Sequence, residues 1–339
     1  MTKPRRWIRF LTAGGGTVGI VGLSCVGATH AAPPTRTFGR GQIARAAGVA
    51  VDPATKQVYV ADWDKQRILI FDRSGRPAGA FGRLGQGPGQ FLSPQFVAVD
   101  STGHVYVTDA GLYEKKVAGH DSDYLQRPCR IERFDRWGHY LGQYTFPENS
   151  RVHSIVAPRS GHGGVLAAVE ISGDVHLERF DTNLRSLPVP SVAWSHEGAA
   201  AAENARGYWI TASWDMKHNR LAAGDMPSGS VTETEIVHLD RRGKVLNHAV
   251  LHLEGLAAGV AADSDGRVYV AERVREVNEV GPGVERHGRH RVLVYNSQLK
   301  RLLSFTTSLP AGIAVDAGTV YVAGDRGVQV FHAANNGRL

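Results

Sequence analysis

His153 is the residue whose type and setting best suit chemistry. It lies in the segment Val152–Ala157 (VHSIVA), directly before an apolar run. The repeats described below predict that this apolar run is a strand facing a central channel. An imidazole at the start of such a strand could bind a metal ion or act as a general base. A catalytic zinc site needs three protein ligands, so two further ligands would be required, with His120 and His196 as candidates. One histidine does not make such a set. We therefore expect His153 to be a hydrogen-bonded channel histidine, with a catalytic role as the alternative.

Other polar patterns are weaker candidates for chemistry. His287 and His290 are closely spaced, but arginines surround them and would repel a cation. Asp263–Gly266 (DSDG) is similar to the start of a calcium loop, but it lacks the acid that such a loop needs downstream. Three acid–arginine combinations recur at equivalent places: Asp62 with Arg67, Asp109 with Arg130, and Glu272 with Arg291. Because they recur from repeat to repeat, we predict structural ion pairs. No cofactor is predicted, and zinc or calcium stays as the alternative.

The elements that must position these residues form a repeat. Gly48–Asp52 (GVAVD) is followed after a short turn by Val58–Asp62 (VYVAD). The same two segments return as Phe96–Asp100 with Val105–Asp109, Gly259–Asp263 with Val268–Glu272, and Gly312–Asp316 with Val320–Gly324. Short β-branched and aromatic runs between turn residues predict strands. Repetition at this spacing predicts an array of similar units.

Each unit is predicted to contain four antiparallel strands, which make one propeller blade. Third strands end at Phe71, Phe134, Phe180, Leu239, Tyr295 and Phe331, so we predict an all-β, six-bladed β-propeller. Blades three and four are degenerate, with His153–Pro158 and Trp209–Ser213 predicted as their inner strands. Thr37–Arg40 (TFGR) matches the end of a fourth strand, Ala80–Arg83 (AFGR). An N-terminal strand is therefore predicted to complete the last blade and close the ring.

These repeats resemble the NHL-repeat family of β-propellers. The resemblance rests on the opening phrase, on the VYVAD run, on Arg67-Ile68 and on the linker Phe81–Phe91 (FGRLGQGPGQF). It covers roughly residues 37–332 and implies a six-bladed propeller. It does not imply one function, because such propellers include lyases, hydrolases and binding modules.

The segment around His153 is also similar to one blade of the amidating lyases that cleave peptidyl-α-hydroxyglycines. In that family a histidine before the inner strand recurs in three blades and binds zinc. The matching positions here are Ala47, Gln95, Ala258 and Ala311, with Arg206 in blade four. The departure from that pattern puts a zinc triad in doubt.

Residues 1–32 have the layout of an export signal. Lys3, Arg5, Arg6 and Arg9 precede an uncharged run, Leu11–Ala28, and small residues suited to cleavage follow it. Arg5-Arg6 is compatible with twin-arginine export, and residues 7–28 could instead stay as a membrane tether. We thus expect an exported protein, periplasmic or extracellular. Its parts would be a leader (1–32), one propeller domain (37–332) and a tail (333–339).

Charge and cysteine content narrow the classes of partner. The net charge of the chain is +7, and the basic residues of the leader supply four of those charges. The small, mixed charge that remains argues against a nucleic-acid partner. Cys129 is the only cysteine beyond the leader, so no intramolecular disulfide is expected. A closed ring needs no second copy to cover its edges, and we expect a monomer.

Two insertions mark the predicted binding face. Residues 110–128 of blade two and 273–290 of blade five follow second strands, and the two blades face each other across a ring of six. Such loops often carry function. The predicted ligand-binding residues are Tyr113, His120, Tyr124, Arg127, Gln95, Arg273, His287 and His290. The predicted function is binding of an extracytoplasmic peptide, glycan or exported protein. A metal-assisted lyase or hydrolase centred on His153 is the alternative, and a spacer with solvated loops is a third.

Overall fold

The protein is built from antiparallel strands arranged as six blades. The computed structural model describes residues 33–115, 123–157, 163–172, 174–189, 193–194, 200–204, 207–215, 220–221, 232–242, 244–253, 255–274, 289–325 and 327–332. Six sheets each have a path of four strands, which confirms the predicted six-bladed propeller. Within the described ranges, no helix is long and apolar enough to cross a bilayer.

The strands follow one another in chain order, blade by blade. A short strand, β1 (Arg36–Phe38), comes first. Blade one has β2 (Ala46–Val51), β3 (Val58–Asp62), β4 (Arg67–Phe71) and β5 (Pro77–Phe81), with a 3₁₀ turn at Trp63–Lys65. Blade two has β6 (Pro94–Val99), β7 (Val105–Asp109), a hairpin of β8 (Leu112–Lys115) and β9 (Asp123–Gln126), then β10 (Arg130–Phe134) and β11 (Tyr140–Thr145).

The later blades are less regular. Blade three has β12 (Ser150–Val156), β13 (Val165–Ile171), β14 (Asp174–Phe180), β15 (Ser186–Leu187) and β16 (Ala193–Trp194). Blade four has β17 (Ala200–Asn204), β18 (Gly207–Asp215), β19 (Arg220–Leu221), β20 (Thr232–Leu239) and β21 (Val245–His252). Blade five has β22 (Leu256–Ala262), β23 (Val268–Arg273), β24 (Arg291–Tyr295) and β25 (Arg301–Thr306). Blade six has β26 (Pro310–Asp316), β27 (Thr319–Gly324) and β28 (Gly327–His332).

The core lies between the blades. A separate hydrophobic cluster fills each interface between neighbouring blades around the ring. Between blades one and two, for example, Tyr59 packs in the same cluster as Phe134, and both are buried. Burying one such side chain stabilises the fold by about 1.5–3 kcal/mol. The ring is therefore held by repeated side-chain packing rather than by covalent links.

The opening aspartates and the tyrosines of the second strands join the blades. The Tyr106 hydroxyl donates to Asp100 Oδ2 (2.9 Å), and the Gly164 amide of blade three donates to the same oxygen (3.0 Å). Burial raises the pKa of Tyr106, so the phenol stays a donor. Burial also opposes ionisation of Asp100, but hydrogen bonds from Thr102, Gly164 and Tyr106 outweigh it and lower the pKa of Asp100. Tyr59 makes an equivalent link, because its hydroxyl donates to the Arg136 carbonyl of blade two (2.8 Å).

The ring closes through β1, as predicted. β1 pairs antiparallel with β28, with Arg36 opposite Val330 and Phe38 opposite Val328. Phe38 then packs against Phe71 of blade one, with ring centroids 5.1 Å apart. An ion pair between Lys56 of blade one and Asp316 of blade six (2.8 Å) spans the same junction.

The predicted register of blade four is wrong. Trp209–Ser213 lies in β18, the second strand of its sheet, and the inner strand is β17. The matching of Arg206 to the position before an inner strand is wrong for the same reason, since Arg206 comes after β17 in the chain. Arg206 itself lies outside the described residues. The third strands predicted in blades one to five end where the prediction placed them, and that of blade six, β28, extends one residue beyond Phe331, to His332.

Candidate functional site

Five inner strands share a β-bulge at the same place. The register between the first and second strands shifts between Ala46 and Gly48, Pro94 and Val97, Val152 and Ser154, Ala257 and Gly259, and Pro310 and Gly312. The residues in the shift are Ala47, Gln95 with Phe96, His153, Ala258 and Ala311. These positions include the ones before the inner strands that the sequence analysis matched to His153. Bulges of this kind redirect a side chain out of the strand's regular alternation.

The bulges surround one mouth of the central channel. A space open to solvent is lined there by inner strands of blades one, two, three, five and six. Blades one, five and six contribute small residues, among them Gly48, Ala258 and Ala311. Blades two and three instead contribute Phe96 and His153. The mouth is thus lined by small residues on one side and by larger and polar residues on the other.

His153 is held by a carboxylate. Its Nε2 lies 2.8 Å from Glu170 Oε2, and the side chains of His153 and Glu170 are 10% and 18% exposed. Arg151, directly opposite Glu170 in the strand pair, brings Nη1 to 4.0 Å from the same carboxylate. The channel histidine therefore has the hydrogen-bond partner expected of a structural residue. The same pair could also orient an imidazole as a general base, and a catalytic role for His153 stays a prediction.

Below the mouth the channel is aliphatic. Its lining comes from valine, alanine and isoleucine residues of the same inner strands. Val49, Val97, Ile155, Val260 and Ile313 line both the mouth and the channel, so the two spaces lie next to each other. Within the described part of the chain, no group of three histidine, cysteine or acidic side chains is placed to hold a metal ion. His120 and His196, the suggested partners of His153, lie outside the described residues.

The recurring acid–arginine pairs hold the linkers that enter the inner strands. Asp62 Oδ1 accepts hydrogen bonds from the amides of Ala44 and Arg45, each at 3.0 Å, and Oδ2 pairs with Arg67 Nε at 3.1 Å. The equivalent residues in blades two and five are arranged in the same way. Asp109 accepts from the Leu92 and Ser93 amides and pairs with Arg130, and Glu272 accepts from the Gly255 amide and pairs with Arg291. This geometry fits a structural role.

Blade two adds a second buried acid that the sequence analysis missed. Glu132 is fully buried, accepts a hydrogen bond from the Gly89 amide (2.8 Å) and lies 3.0 Å from Arg130 Nη2. Burial raises the pKa of Glu132 to about 7, against the lowering effect of Arg130. The signal was present in the repeat, because the equivalent residues of blades one and five are Leu69 and Leu293.

The base of the blade-two insertion is tied to the linker before it. Arg130 donates to the carbonyls of Gln86 (2.9 Å) and Gln90 (2.6 Å). Arg127 Nε donates to Gln86 Oε1 (2.9 Å). The linker 84–91 and the hairpin therefore form one connected surface on the face where inner strands begin and second strands end. We call this the elaborated face.

The predicted ligand-binding residues are spread over the channel mouth and the bases of the two insertions, and two of them lie outside the described residues. Gln95 occupies the bulge next to that of His153, and Arg127 is exposed at the base of the hairpin. Arg273 is exposed at the end of β23, whereas His290 Nδ1 accepts a hydrogen bond from the Val274 amide (3.0 Å) and so helps close the base of the blade-five insertion. Tyr113 and Tyr124 lie on the paired strands β8 and β9. His120 and His287 lie outside the described residues.

Comparisons with known proteins point to the same architecture. Residues 49–124 match a family described as a six-bladed β-propeller, DUF5128. The chain is 30% identical over 246 residues to the E3 ubiquitin-protein ligase NHLRC1 of Rattus norvegicus, which covers 69% of this chain and 55% of the relative. It is 41% identical over 70 residues to the protein brain tumor of Drosophila melanogaster, covering 20% of this chain and 7% of the relative. The chain thus spans about half the length of the rat relative.

Solved structures share the fold at low sequence identity. A gluconolactonase from Xanthomonas campestris superposes with a TM-score of 0.53 at 12% identity, covering 90% of this chain and 98% of that one. The hydrazine synthase of Kuenenia stuttgartiensis gives a TM-score of 0.52 at 13% identity, covering 89% and 97%. At this identity the likeness concerns the fold alone.

Proposed function

Because the chain is an NHL-type six-bladed β-propeller, we propose that it is an exported binding module that holds a peptide or protein partner on its elaborated face. One observation carries the proposal. The residues at the channel mouth that depart from the repeat, Phe96 and His153 above all, lie together on blades two and three, on the same face as the linker 84–91 and the base of the blade-two hairpin. A repeating scaffold has no structural need for such an asymmetry. Rigid strands that present variable loops are a common basis for recognition.

The surface is built to keep its shape when a partner binds. Arg130, Arg127 and Glu132 fix the linker to the base of the hairpin through the contacts described above. A loop that is already ordered loses less conformational entropy on binding than a free one. The arrangement therefore supports recognition by a preformed surface.

Site-specific photo-crosslinking tests the binding proposal. A photoreactive amino acid at Arg127 probes the elaborated face, and one at Arg242, in the exposed β20–β21 turn at the other end of a blade, serves as the matched control. We expect a discrete partner to be crosslinked from position 127 and not from position 242. Equal crosslinking from the two positions, or none from position 127, would contradict the proposal.

Export is a separate part of the proposal. The basic head and uncharged run of residues 1–32 support it. N-terminal sequencing of the protein recovered from its native compartment tests it directly. A mature start near residue 32 in the periplasmic or extracellular fraction agrees with export and cleavage. A chain recovered only from the cytosol with residues 1–32 intact contradicts export.

The hydrogen bond between His153 and Glu170 supports a second candidate, a hydrolase or lyase in which this pair acts as a base at the channel mouth. His153→Ala separates the two. The enzyme alternative predicts loss of turnover in a screen of esters, lactones and peptidyl substrates. The binding proposal predicts no turnover by the wild type in the same screen.

A further inference from the structure

The face opposite to the elaborated face has a basic rim. Because the blades repeat around the ring, the turns between third and fourth strands all lie on this face. We call the turns of blades one to five the basic rim: residues 72–76, 135–139, 181–185, 240–244 and 296–301. Eight exposed basic side chains are found among their described residues: Arg73, Arg76, Arg185, Arg241, Arg242, Lys244, Lys300 and Arg301. Four aspartates share these turns: Asp72, Asp135, Asp181 and Asp240.

The aspartates of the rim are bonded to the backbone of their own turns. Asp240 Oδ1 accepts hydrogen bonds from the amides of Arg242 (2.8 Å) and Lys244 (2.9 Å). The other three are held in the same way: Asp72, Asp135 and Asp181. Nearer the channel Asp265 is exposed, whereas the aspartates at the ends of inner strands are buried: Asp52, Asp100, Asp263 and Asp316. The charge that the rim exposes to solvent is therefore mainly positive.

A tryptophan stands on the rim at blade two. The Trp137 side chain is 71% exposed, and Cζ of Arg136 lies 5.9 Å from its ring centroid. An indole has an apolar body and a single N–H, and such rings are enriched where a bilayer meets water. A soluble polyanion would need the cations but not this ring. Cations together with an exposed indole favour a membrane surface with anionic head groups.

The N-terminal segment joins the fold on the same face. β1 is the fourth strand of blade six, so Thr35 lies at the rim end of the blade and Phe38 at the elaborated end. Only five residue steps lead from Ala28, the end of the uncharged run, to Pro33. Even fully extended, they span at most about 18 Å. A membrane that holds the uncharged run, in transit or as a tether, therefore lies close to the basic rim.

We propose that the basic rim docks on an anionic bilayer surface, with Trp137 in the head-group region and the elaborated face turned away from the membrane. Exposed arginine and lysine side chains attract anionic lipids, and the indole adds apolar contact. The inference adds a second surface to the protein. It does not depend on what the elaborated face binds.

Co-flotation of the full chain with lipid vesicles tests the docking. One set of vesicles contains equal parts of phosphatidylcholine and phosphatidylglycerol, and the other contains phosphatidylcholine alone. We expect binding to the anionic vesicles to be at least 10-fold tighter and to weaken as salt is raised, because salt screens the attraction. Equal binding to the two kinds of vesicle would overturn the inference.

Two triple variants place the attraction on one face. The rim variant carries Arg242→Gln, Lys244→Gln and Lys300→Gln. The control variant loses the same charge from exposed residues of the elaborated face through Arg40→Gln, Lys65→Gln and Arg83→Gln. We expect binding to anionic vesicles to fall at least 10-fold in the rim variant and to stay within 2-fold of the wild type in the control. Residues 1–32 are the same in both variants, so equal binding by the two would overturn the inference.

Trp137→Ala separates a bilayer from a soluble polyanion. We expect it to weaken binding to anionic vesicles 3- to 10-fold and to leave binding to heparin, the polyanion probe, within 2-fold. Leu84→Ala is the control, since Leu84 is an exposed apolar residue of the elaborated face, and it should leave vesicle binding unchanged. Heparin binding without any partition into vesicles would overturn the inference in favour of a soluble polyanion.

The outcome separates this inference from the proposed function. Crosslinking of a partner from position 127 concerns the other face and needs no membrane. A chain that crosslinks a partner but does not bind anionic vesicles would keep the binding module and lose the membrane dock, and the reverse result would do the opposite.

Discussion

Glu132 and His153 both depart from the repeat, and their surroundings in the fold differ. His153 sits at a bulge that faces the channel, and its partner Glu170 is on the neighbouring strand. Glu132 sits on a third strand at a position where blades one and five have leucine, and a linker amide reaches it from outside the strand. The position of His153 could be predicted because the bulge repeats. The environment of Glu132 could not, because the linker fold over blade two sets it.

The stability of the protein should fall as pH rises through neutrality because of Glu132. Its pKa is raised from 4.5 to about 7 in the fold, so the folded chain keeps a proton that the unfolded chain releases above about pH 4.5. Stability from this group is complete below that pH and is lost as pH rises through about 7. Glu132→Gln removes this dependence. Between pH 5 and pH 8 we expect the wild type to lose about 2 kcal/mol more than the variant.

Urea unfolding at several pH values checks this expectation. The groups facing Glu132 are Arg130 on its own strand, Asp109 on the second strand, Tyr140 on the fourth strand and the Gly89 amide of the linker. They are the same in both proteins, so the difference isolates the one carboxyl group. Parallel curves for the wild type and the variant would show that Glu132 ionises normally.

At the scale of the element, the linkers matter as much as the strands. Strand identity could be predicted wherever the phrase of β-branched and aromatic residues survives, as in β2 and β3. The prediction of the inner strand failed in blade four because β17 (AAAEN) has little strand propensity, whereas the β18 segment around Trp209 has high strand propensity. An inner strand is selected by its fit to the crowded channel rather than by propensity. Ala202, which is fully buried in β17, illustrates this.

Removing the charge that anchors a linker should be strongly destabilising. Asp109→Asn removes one of the two carboxylates beside the buried Arg130, leaving Glu132, and weakens the bonds to the Leu92 and Ser93 amides. Breaking a buried pair in this way costs about 3 kcal/mol. Asp64→Asn is the control, since Asp64 is exposed and lies 3.8 Å from an exposed arginine. A shift in the urea midpoint of similar size in the two variants would argue against the anchoring role.

Two glycines at equivalent places should respond differently to substitution by alanine. A Cβ on Gly48 would lie 2.5 Å from the Gln95 carbonyl oxygen and 3.1 Å from Phe96 Cα, both backbone atoms of blade two. A Cβ on Gly259 would make one tight contact, 3.2 Å from Ile313 Cγ2 at the movable end of a side chain, and would lie 3.9 Å from the Ile313 backbone nitrogen. We expect Gly48→Ala to destabilise the protein by about 2 kcal/mol and Gly259→Ala by less than about 1 kcal/mol. Chemical denaturation distinguishes them, and equal midpoints would mean that blades one and two can separate at no cost.

At the scale of the molecule, closure of the ring could be predicted because the strand that closes it has a recognisable sequence. The likeness of Thr37–Arg40 to the end of a fourth strand was enough to predict the pairing of β1 with blade six. The asymmetry that sets blades two and three apart from blades one, five and six at the channel mouth could not be predicted, because it arises from where five separate bulges meet. Export, ligand class and a monomeric state stay predictions.

The contribution of closure can be measured with two deletions. A chain that begins at Gly39 lacks β1, which exposes the edge of β28 and removes the contact of Phe38 with Phe71. We expect a loss of about 3 kcal/mol or more, together with faster amide exchange in β28. A chain that begins at Pro34 keeps β1 and should match the full chain. Equal stability of the two shortened chains would contradict a role for β1 in holding the ring.

The pairing of β1 with β28 also has a consequence in time. Thr35 and Val330 are hydrogen-bonded across 295 positions of sequence. β1 therefore cannot pair until β28 has been synthesised. At about 5–20 residues per second, that interval is on the order of 15–60 seconds. Contacts so distant in sequence also form slowly once the chain is complete. Closure should therefore be the late, rate-limiting step of folding. Until it occurs, the unpaired edges of blade six are the part of the chain most exposed to aggregation.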